Sequence, residues 1–183
     1  MGMNFSLANF LNPVFIETGT LRGESVRKAL NAGFKKIYSI ELSEVFYDNC
    51  LKQFRNEIKQ EQVVLVFGDS TCALPALLDD IDERATIWLD AHGGYGKTAT
   101  GEKMCPLMEE IHAIGNHPIK NHTILIDDRR LFSSKEPSCW GHEISEDAVR
   151  QSILEINPNY RLSTLNGHIK NDVILAEIIL EPE

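Results

Sequence analysis

The chain lacks the long apolar run of ~20 residues that a membrane-spanning helix needs. Its first residues, Met1 to Asn12, contain neither a basic segment nor the apolar stretch of a signal peptide. Internal repeats, low-complexity stretches and Pro/Ser-rich linkers are also missing. These absences predict a cytoplasmic protein with no membrane partner and a single domain over residues 1–183.

Cysteine and basic runs are scarce as well. The cysteines form no Cys-x-x-Cys pair and carry no zinc-binding spacing, so we expect reduced thiols at Cys50, Cys72, Cys105 and Cys139. The formal net charge is −9, and the basic residues form only pairs such as Lys35-Lys36 and Arg129-Arg130. Because an acidic surface repels a phosphate backbone, the composition argues against nucleic-acid binding and favours small-molecule chemistry.

What the chain does contain is a regular alternation of apolar runs and amphipathic stretches. The apolar runs predict strands at 14–16, 36–42, 63–67, 86–89 and 123–126. The stretches between and after them predict helices at 24–32, 43–59, 73–80, 106–115 and 145–156. Such alternation is typical of an α/β protein with an open, mostly parallel sheet and helices on both faces.

The last two apolar runs break this pattern. Residues 160–165 and 173–180 are β-rich and have no helix between them, so they should pair as an antiparallel hairpin joined by residues 166–172. Ser43 and Ser145 are suited to begin the second and last helices, because a serine side chain can cap a helix amino terminus. The predicted sheet therefore has about seven strands.

Acidic residues follow one strand after another. In an open α/β sheet a ligand binds outside the carboxyl ends of the strands. A single acid at a strand end is explained by helix capping or a turn, but a series of them favours a ligand with hydroxyls, an amine and a positive charge. The acids in these positions are Glu17, Glu41, Asp69, Asp90, Asp127 and Asp128.

The turn after the first strand limits the class of ligand that this edge of the sheet could bind. It reads Glu17-Thr18-Gly19-Thr20-Leu21-Arg22-Gly23. Gly19 allows a sharp turn and close approach of the backbone, and Gly23 allows the following helix to pack close to the strand. The turn lacks the Gly-x-Gly-x-x-Gly of dinucleotide sites, and a carboxylate at Glu17 would oppose a pyrophosphate and attract an ammonium group.

With these motifs the chain resembles the class I S-adenosylmethionine-dependent methyltransferases over nearly its whole length. The resemblance implies a Rossmann-like fold with S-adenosylmethionine as cofactor. It implies that the first motif binds the cofactor, that Glu41 accepts from the ribose hydroxyls and that Asp69 accepts from the adenine amine. The cofactor-binding set is then Glu17, Gly19, Thr20, Gly23, Glu41, Asp69 and Ser70.

Asp90, Asp127 and Asp128 follow two strands that are neighbours in this family. Three carboxylates brought together raise each other's pKa unless a cation intervenes, and all-oxygen ligands suit Mg²⁺ or Mn²⁺. The pattern is similar to that of metal-dependent O-methyltransferases. The alternative is an ion pair of Asp127 or Asp128 with Arg129 or Arg130.

Asp90 and His92 are the candidate catalytic residues, with His92 as a general base because its pKa lies near neutrality. The glycine-rich stretch 91–105 is interpreted either as a substrate lid or as a plain surface loop. The predicted reaction is O-methylation of a hydroxyl on a sugar-like or other polar small molecule, and a homo-oligomer is compatible with the sequence. Two alternatives stay open: an NAD-dependent oxidoreductase and a non-catalytic S-adenosylmethionine-binding protein.

Overall fold

The computed structural model of the protein describes residues 3–91, 105–133 and 144–179. Seven strands form a single sheet in the order β3-β2-β1-β4-β5-β7-β6. The strands are β1 (Val14–Thr18), β2 (Lys36–Glu41), β3 (Val63–Phe67), β4 (Ala85–Leu89), β5 (Thr123–Ile126), β6 (Arg161–Leu165) and β7 (Val173–Glu177). β1 to β5 pair in parallel, and β7 is antiparallel to both of its neighbours. The predicted open sheet with a terminal hairpin is confirmed.

Six α-helices connect the strands within the described residues. They are α1 (Glu24–Ala32), α2 (Glu44–Gln53), α3 (Arg55–Lys59), α4 (Ser70–Leu78), α5 (Leu107–Asn116) and α6 (Glu146–Ile156). Short 3₁₀ turns precede β1 at Leu7–Phe10 and follow β5 at Arg129–Ser133. None of the helices in the described residues has the length and apolar character needed to cross a membrane.

The single helix predicted over 43–59 is wrong, because it is broken at Phe54 into α2 and α3. Phe54 has φ −105° and ψ 23°, outside the helical region, and its ring is buried against Gly23 and beneath the guanidinium of Arg27. Burial of this ring stabilises the tertiary structure, and the local sequence pattern does not reveal it. Ser43 precedes α2 as predicted, but its side chain makes no capping bond.

The predicted start of α4 at residue 73 is also corrected. Asp69 Oδ1 accepts from the amide of Thr71 at 2.9 Å, so the helix begins three residues earlier at Ser70. Ser145 caps α6 as expected, since its hydroxyl accepts from the amide of Ala148 at 3.1 Å. Side-chain capping therefore explains both boundaries, although only one was foreseen.

The apolar side chains form two layers on opposite faces of the sheet. Phe15 and Trp88 pack with the helices on one face, whereas Val14 and Ile16 pack on the other. This division follows from the two-residue period of a strand. Since both faces are covered, β1 and β4 are buried at every position, as the continuous apolar runs predicted.

Two buried histidines lie at the opposite edge of the sheet from the strand carboxyl ends. His122 Nδ1 accepts from the amide of Ala85 at 3.0 Å, so Nε2 carries the proton and donates to His117 Nδ1 at 2.9 Å. His117 Nε2 then donates to the carbonyl of Ile81 at 2.9 Å. Burial lowers the pKa of His122 to about 4, with a smaller contribution from His117. The pair is thus a neutral hydrogen-bonded link between the starts of β4 and β5.

Candidate functional site

The turn of residues 18–23, which follows β1, is held between the ends of β2 and β4. Its amides at Gly19 and Thr20 both donate to the carbonyl of Ile40, at 2.9 and 3.2 Å. Gly19 has φ +84°, and a Cβ at this position would overlap the backbone carbonyl of Asp90. Only glycine allows this approach without strain, so the turn lies directly beside the end of β4.

The end of the turn is fixed by a second glycine. Gly23 has φ +71° and precedes the first residue of α1, and a Cβ there would overlap the ring of Phe54. The broken helix α2–α3 therefore supplies the aromatic ring that occupies the space a side chain would need. This geometry explains why the predicted motif has glycine at both positions.

Glu41 at the end of β2 binds the turn through its carboxylate. Oε2 accepts from the amide of Leu21 at 2.6 Å, and Oε1 accepts from the amide of Ser43 at 2.7 Å. The side chain is buried, with 6% of the residue exposed. Because each carboxylate oxygen has two acceptor positions, Glu41 can hold the turn and still accept a further donor from a ligand.

Glu17 and Thr20 belong to a buried network beneath the turn rather than to its surface. Ser39 on β2 donates to Glu17 Oε1 at 2.6 Å, and its hydroxyl also pairs with that of Thr20. Burial, as the main cause, raises the pKa of Glu17 to about 8. Ser39 was not predicted from the sequence; its only signal is a small polar residue between the aromatic and apolar residues Tyr38 and Ile40 of the predicted strand.

Asp69 and Ser70 lie at the start of α4, next to the end of β2. Gly68 donates its amide to the carbonyl of Glu41 at 2.9 Å, which places this segment beside Glu41. Asp69 Oδ1 accepts from the amide and the hydroxyl of Thr71, at 2.9 and 2.7 Å. The structure thus gives Asp69 a capping function, and its contact with an adenine amine stays a prediction.

Three aspartates converge after β5: oxygen atoms of Asp127, Asp128 and Asp172 lie within 4.8 Å of one another. The guanidinium of Arg130 bonds to both Asp128 and Asp172, and the Arg130 amide donates to Asp172 Oδ1 at 3.1 Å. Asp172 lies in the loop of the terminal hairpin, and this hairpin brings it to β5. Sequence reasoning missed Asp172 because it lies 44 positions after Asp128 in the chain.

Comparisons with known proteins identify the fold. Neither a family model nor a curated protein matches the chain. Solved structures do match: the O-methyltransferase TomG of Streptomyces achromogenes, in complex with S-adenosylmethionine, is 13% identical with a TM-score of 0.63. That match covers 95% of this chain and 76% of TomG. The chain has the fold of the class I S-adenosylmethionine-dependent methyltransferases.

Two further structures with this methyltransferase fold are similar to the chain. The Bacillus cereus O-methyltransferase in complex with S-adenosylhomocysteine is 13% identical at a TM-score of 0.65, and the match covers 94% of this chain and 77% of that one. Spermidine synthase of Thermotoga maritima is 13% identical at a TM-score of 0.59, with 97% of this chain and 58% of that one covered. The neighbours therefore share the fold but not a single reaction.

Of the predicted metal ligands, Asp127 and Asp128 are clustered, whereas Asp90 lies outside the cluster but close enough for its charge to act on Asp127. The clustered aspartates include Asp172 in place of Asp90, and the positive charge among them belongs to Arg130. This ion pair is the alternative foreseen for Asp128, so the arrangement does not support an open Mg²⁺ or Mn²⁺ site. Burial and then the charge of Asp90 raise the pKa of Asp127 to about 7.

Asp90 is half-buried at the end of β4, where its amide donates to the Thr18 hydroxyl at 3.3 Å. It lies beside Gly19 on one side and contributes to the field at Asp127 on the other. The structure thus places Asp90 between the glycine turn and the aspartate cluster. His92 and the glycine-rich segment 92–104 lie outside the described residues, so their predicted roles stay predictions.

Proposed function

We propose that the protein binds S-adenosylmethionine at the turn 18–23 and transfers its methyl group to a hydroxyl of a sugar-like or other polar small molecule. The observation that carries the proposal is the fixed pairing of Glu41 with the Leu21 amide, at 2.6 Å. It holds an acidic acceptor next to a glycine turn at the carboxyl ends of parallel strands, where ligands of such sheets bind.

The cofactor's polar groups have matching partners along this edge. Glu41 would accept from the ribose hydroxyls through its remaining acceptor positions, and Asp69 with Ser70 would lie next to the adenine. Gly19 removes the side chain that would separate the turn from Asp90, so the methionine part can lie close to the end of β4. The backbone of the turn, rather than long side chains, then shapes the pocket.

Methyl transfer itself is an in-line displacement, and most of its acceleration comes from holding the two reactants in line. The hydroxyl oxygen forms a bond to the methyl carbon as the bond to sulfur breaks, and the hydroxyl proton passes to a base. Asp90 lies beside Gly19 of the turn, at the end of β4, so we assign it to orienting the acceptor. His92 is the proposed base.

Calorimetric titration with S-adenosylhomocysteine and with NAD tests the cofactor. We expect the first to bind and NAD to give no heat, because the turn lacks the Gly-x-Gly-x-x-Gly of dinucleotide sites and the Glu41 carboxylate beside it opposes a pyrophosphate. Glu41→Gln should weaken binding, whereas Glu44→Gln, an exposed carboxyl on α2, should not. Binding of NAD alone would identify an oxidoreductase.

Turnover separates an enzyme from a binding protein. Incubation with S-adenosylmethionine and a panel of sugars, polyols and phenols should yield S-adenosylhomocysteine and a methyl ether with at least one acceptor. Asp90→Asn should lower the rate more than it lowers cofactor affinity. Tight binding without methylation of any acceptor in the panel would favour a non-catalytic cofactor-binding protein.

A further inference from the structure

Glu17 is a carboxyl group that the proposed reaction does not use directly. It is fully buried in β1. Oε1 accepts from the Ser39 hydroxyl, and Oε2 has no hydrogen-bond partner among the described residues. An ionised carboxylate in such a position is costly unless a cation or several donors compensate it. Glu17 takes part in none of the ion pairs found in the described part of the chain.

The elements packed around Glu17 offer it hydroxyls, a thiol and further acids rather than a cation. α1 contributes a hydroxyl near enough to favour the ionised form, β2 contributes a hydroxyl and a carboxylate, α2 contributes a thiol, and the end of β4 contributes a carboxylate. These groups are Ser25, Ser39, Glu41, Cys50 and Asp90. The two carboxylates repel a negative charge on Glu17, so the free protein favours a neutral carboxylic acid there.

The network also connects Glu17 to the proposed cofactor site. Ser39 bonds to both Glu17 and Thr20, and Thr20 is part of the turn against which the cofactor would lie. Leu21, the next residue, is held by Glu41 through its amide and by Cys50, whose thiol donates to the Leu21 carbonyl at 3.5 Å. A positive charge bound at this turn would therefore act on Glu17 at short range through a medium with little water.

We propose that Glu17 holds a proton beneath the turn in the free protein and releases it to solvent when the cofactor binds. The inference rests on the proposed function, because it requires a ligand with the ammonium group of S-adenosylmethionine. The O–H bond of the Glu17 carboxyl breaks, the proton passes to the buffer, and the new carboxylate balances the incoming positive charge. Glu17 thus acts as a positioning residue that couples binding to pH.

The direction of the pH effect follows from linkage. With its pKa raised to about 8, Glu17 is protonated in the free protein at neutral pH. A ligand that binds the ionised form must first displace the proton, so affinity should rise with pH until the free protein itself ionises. The expected gain is up to about tenfold per pH unit between pH 6 and 7.5, and it should level off above pH 8.

Calorimetry with S-adenosylhomocysteine at pH 6.5, in two buffers of different ionisation enthalpy, counts the released protons. We expect the apparent heats to differ by an amount that corresponds to about one proton. Glu17→Gln keeps the size and neutrality of the side chain, and should bind with no proton release and with a flat pH profile. Glu24→Gln, an exposed carboxyl at the start of α1, should behave like the wild type.

Ser39→Ala tests the network itself. Removal of a hydroxyl that favours the ionised form should raise the pKa of Glu17 further, so the rise in affinity should continue to higher pH, and more protons should be released at pH 8 than by the wild type. Carboxyl ¹³C spectra of the free wild-type protein provide a check that needs no variant to fold, since a protonated Glu17 should titrate near pH 8.

Binding with the same heat in both buffers, or a Glu17 carboxyl that titrates near its ordinary pKa, would overturn the inference and leave the proposed function intact. Absence of S-adenosylhomocysteine binding at every pH between 6 and 8.5 would instead overturn the proposed function, and this inference with it.

Discussion

The buried histidine pair makes the stability of the protein sensitive to acid, and the size of the effect can be worked out for His122. This residue is fully buried and bonded at both ring nitrogens, to the Ala85 amide and to His117. Its pKa is about 4 in the folded protein, against ~6.5 in an unfolded chain. A proton on Nδ1 would break the bond from Ala85 and place a charge in the core.

The sign follows from which state binds the proton first. Between pH 6.5 and 4 the unfolded chain is protonated at His122 while the folded protein is not, so acid favours unfolding. The contribution of His122 is fully present above pH 6.5 and declines as the pH falls. Linkage gives a loss of about 2 kcal/mol in the free energy of unfolding between pH 7.5 and pH 5.

Two carboxyl groups change the stability of the protein with pH in the opposite direction to His122. The contribution of His122 can therefore be measured only by comparison with a variant that lacks this histidine. The raised pKa values of Glu17 and Asp127 stabilise the folded protein at low pH, and this contribution is lost as the pH rises through about 8 and about 7. His122→Asn keeps an oxygen that can accept from Ala85 but cannot titrate in this range. Subtraction of its pH profile from that of the wild type isolates the histidine.

Urea denaturation at pH 7.5, 6 and 5, followed by circular dichroism, measures both profiles. We expect His122→Asn to be less stable than the wild type at pH 7.5, and the gap to narrow by about 2 kcal/mol at pH 5. His168→Asn, on the exposed hairpin loop, should leave the profile unchanged. A gap that stays constant from pH 7.5 to pH 5 would refute the reasoning.

Three further substitutions test the site. Gly23→Ala should lower the free energy of unfolding by about 3 kcal/mol in urea denaturation, because it adds both backbone strain and overlap with a buried ring. Gly33→Ala is the control: its φ is +96° but the space around it is open, so it should lower the free energy of unfolding by about 1 kcal/mol. Glu41→Gln should weaken S-adenosylhomocysteine binding by about 1.5 kcal/mol in calorimetry, since a neutral acceptor replaces a charged one; unchanged affinity would remove Glu41 from the cofactor site. Arg130→Met should lower the free energy of unfolding by about 2 kcal/mol, because it removes the guanidinium that bonds to both Asp128 and Asp172. Added Mg²⁺ should restore part of the loss in the variant but leave the melting temperature of the wild type unchanged.

Much of the fold could be predicted from local sequence. Buried parallel strands require continuous apolar runs, and helices between them require an amphipathic period, so the order of β1 to β5 is visible in the chain. The terminal hairpin was also visible, because no helix separates Arg161–Leu165 from Val173–Glu177. The acids at the strand ends were found for the same reason: once the strands are assigned, parallel topology places their carboxyl ends along one edge.

Only the tertiary structure decided what these acids do. The sequence grouped Asp90 with the acids after β5, but it is Asp172, brought by the hairpin, that joins the cluster of Asp127 and Asp128, and Arg130 supplies the charge that a metal was expected to provide. Likewise, the position of Glu17 in the turn motif is visible in the sequence, whereas its bond to Ser39 depends on the register of β1 against β2.

The physical reason is the range of the interactions. Strand and helix patterns are set by neighbours within a few residues, so the chain encodes them locally. Several of the hydrogen bonds and ion pairs in the site join residues that are 20 or more positions apart, such as Leu21 with Glu41 and Arg130 with Asp172, and their strength depends on burial that only packing creates. The sequence by itself therefore determined the sheet and the edge along which the acids lie, and the tertiary structure decided which of the acids are paired, which hold the turn and which is buried with a raised pKa.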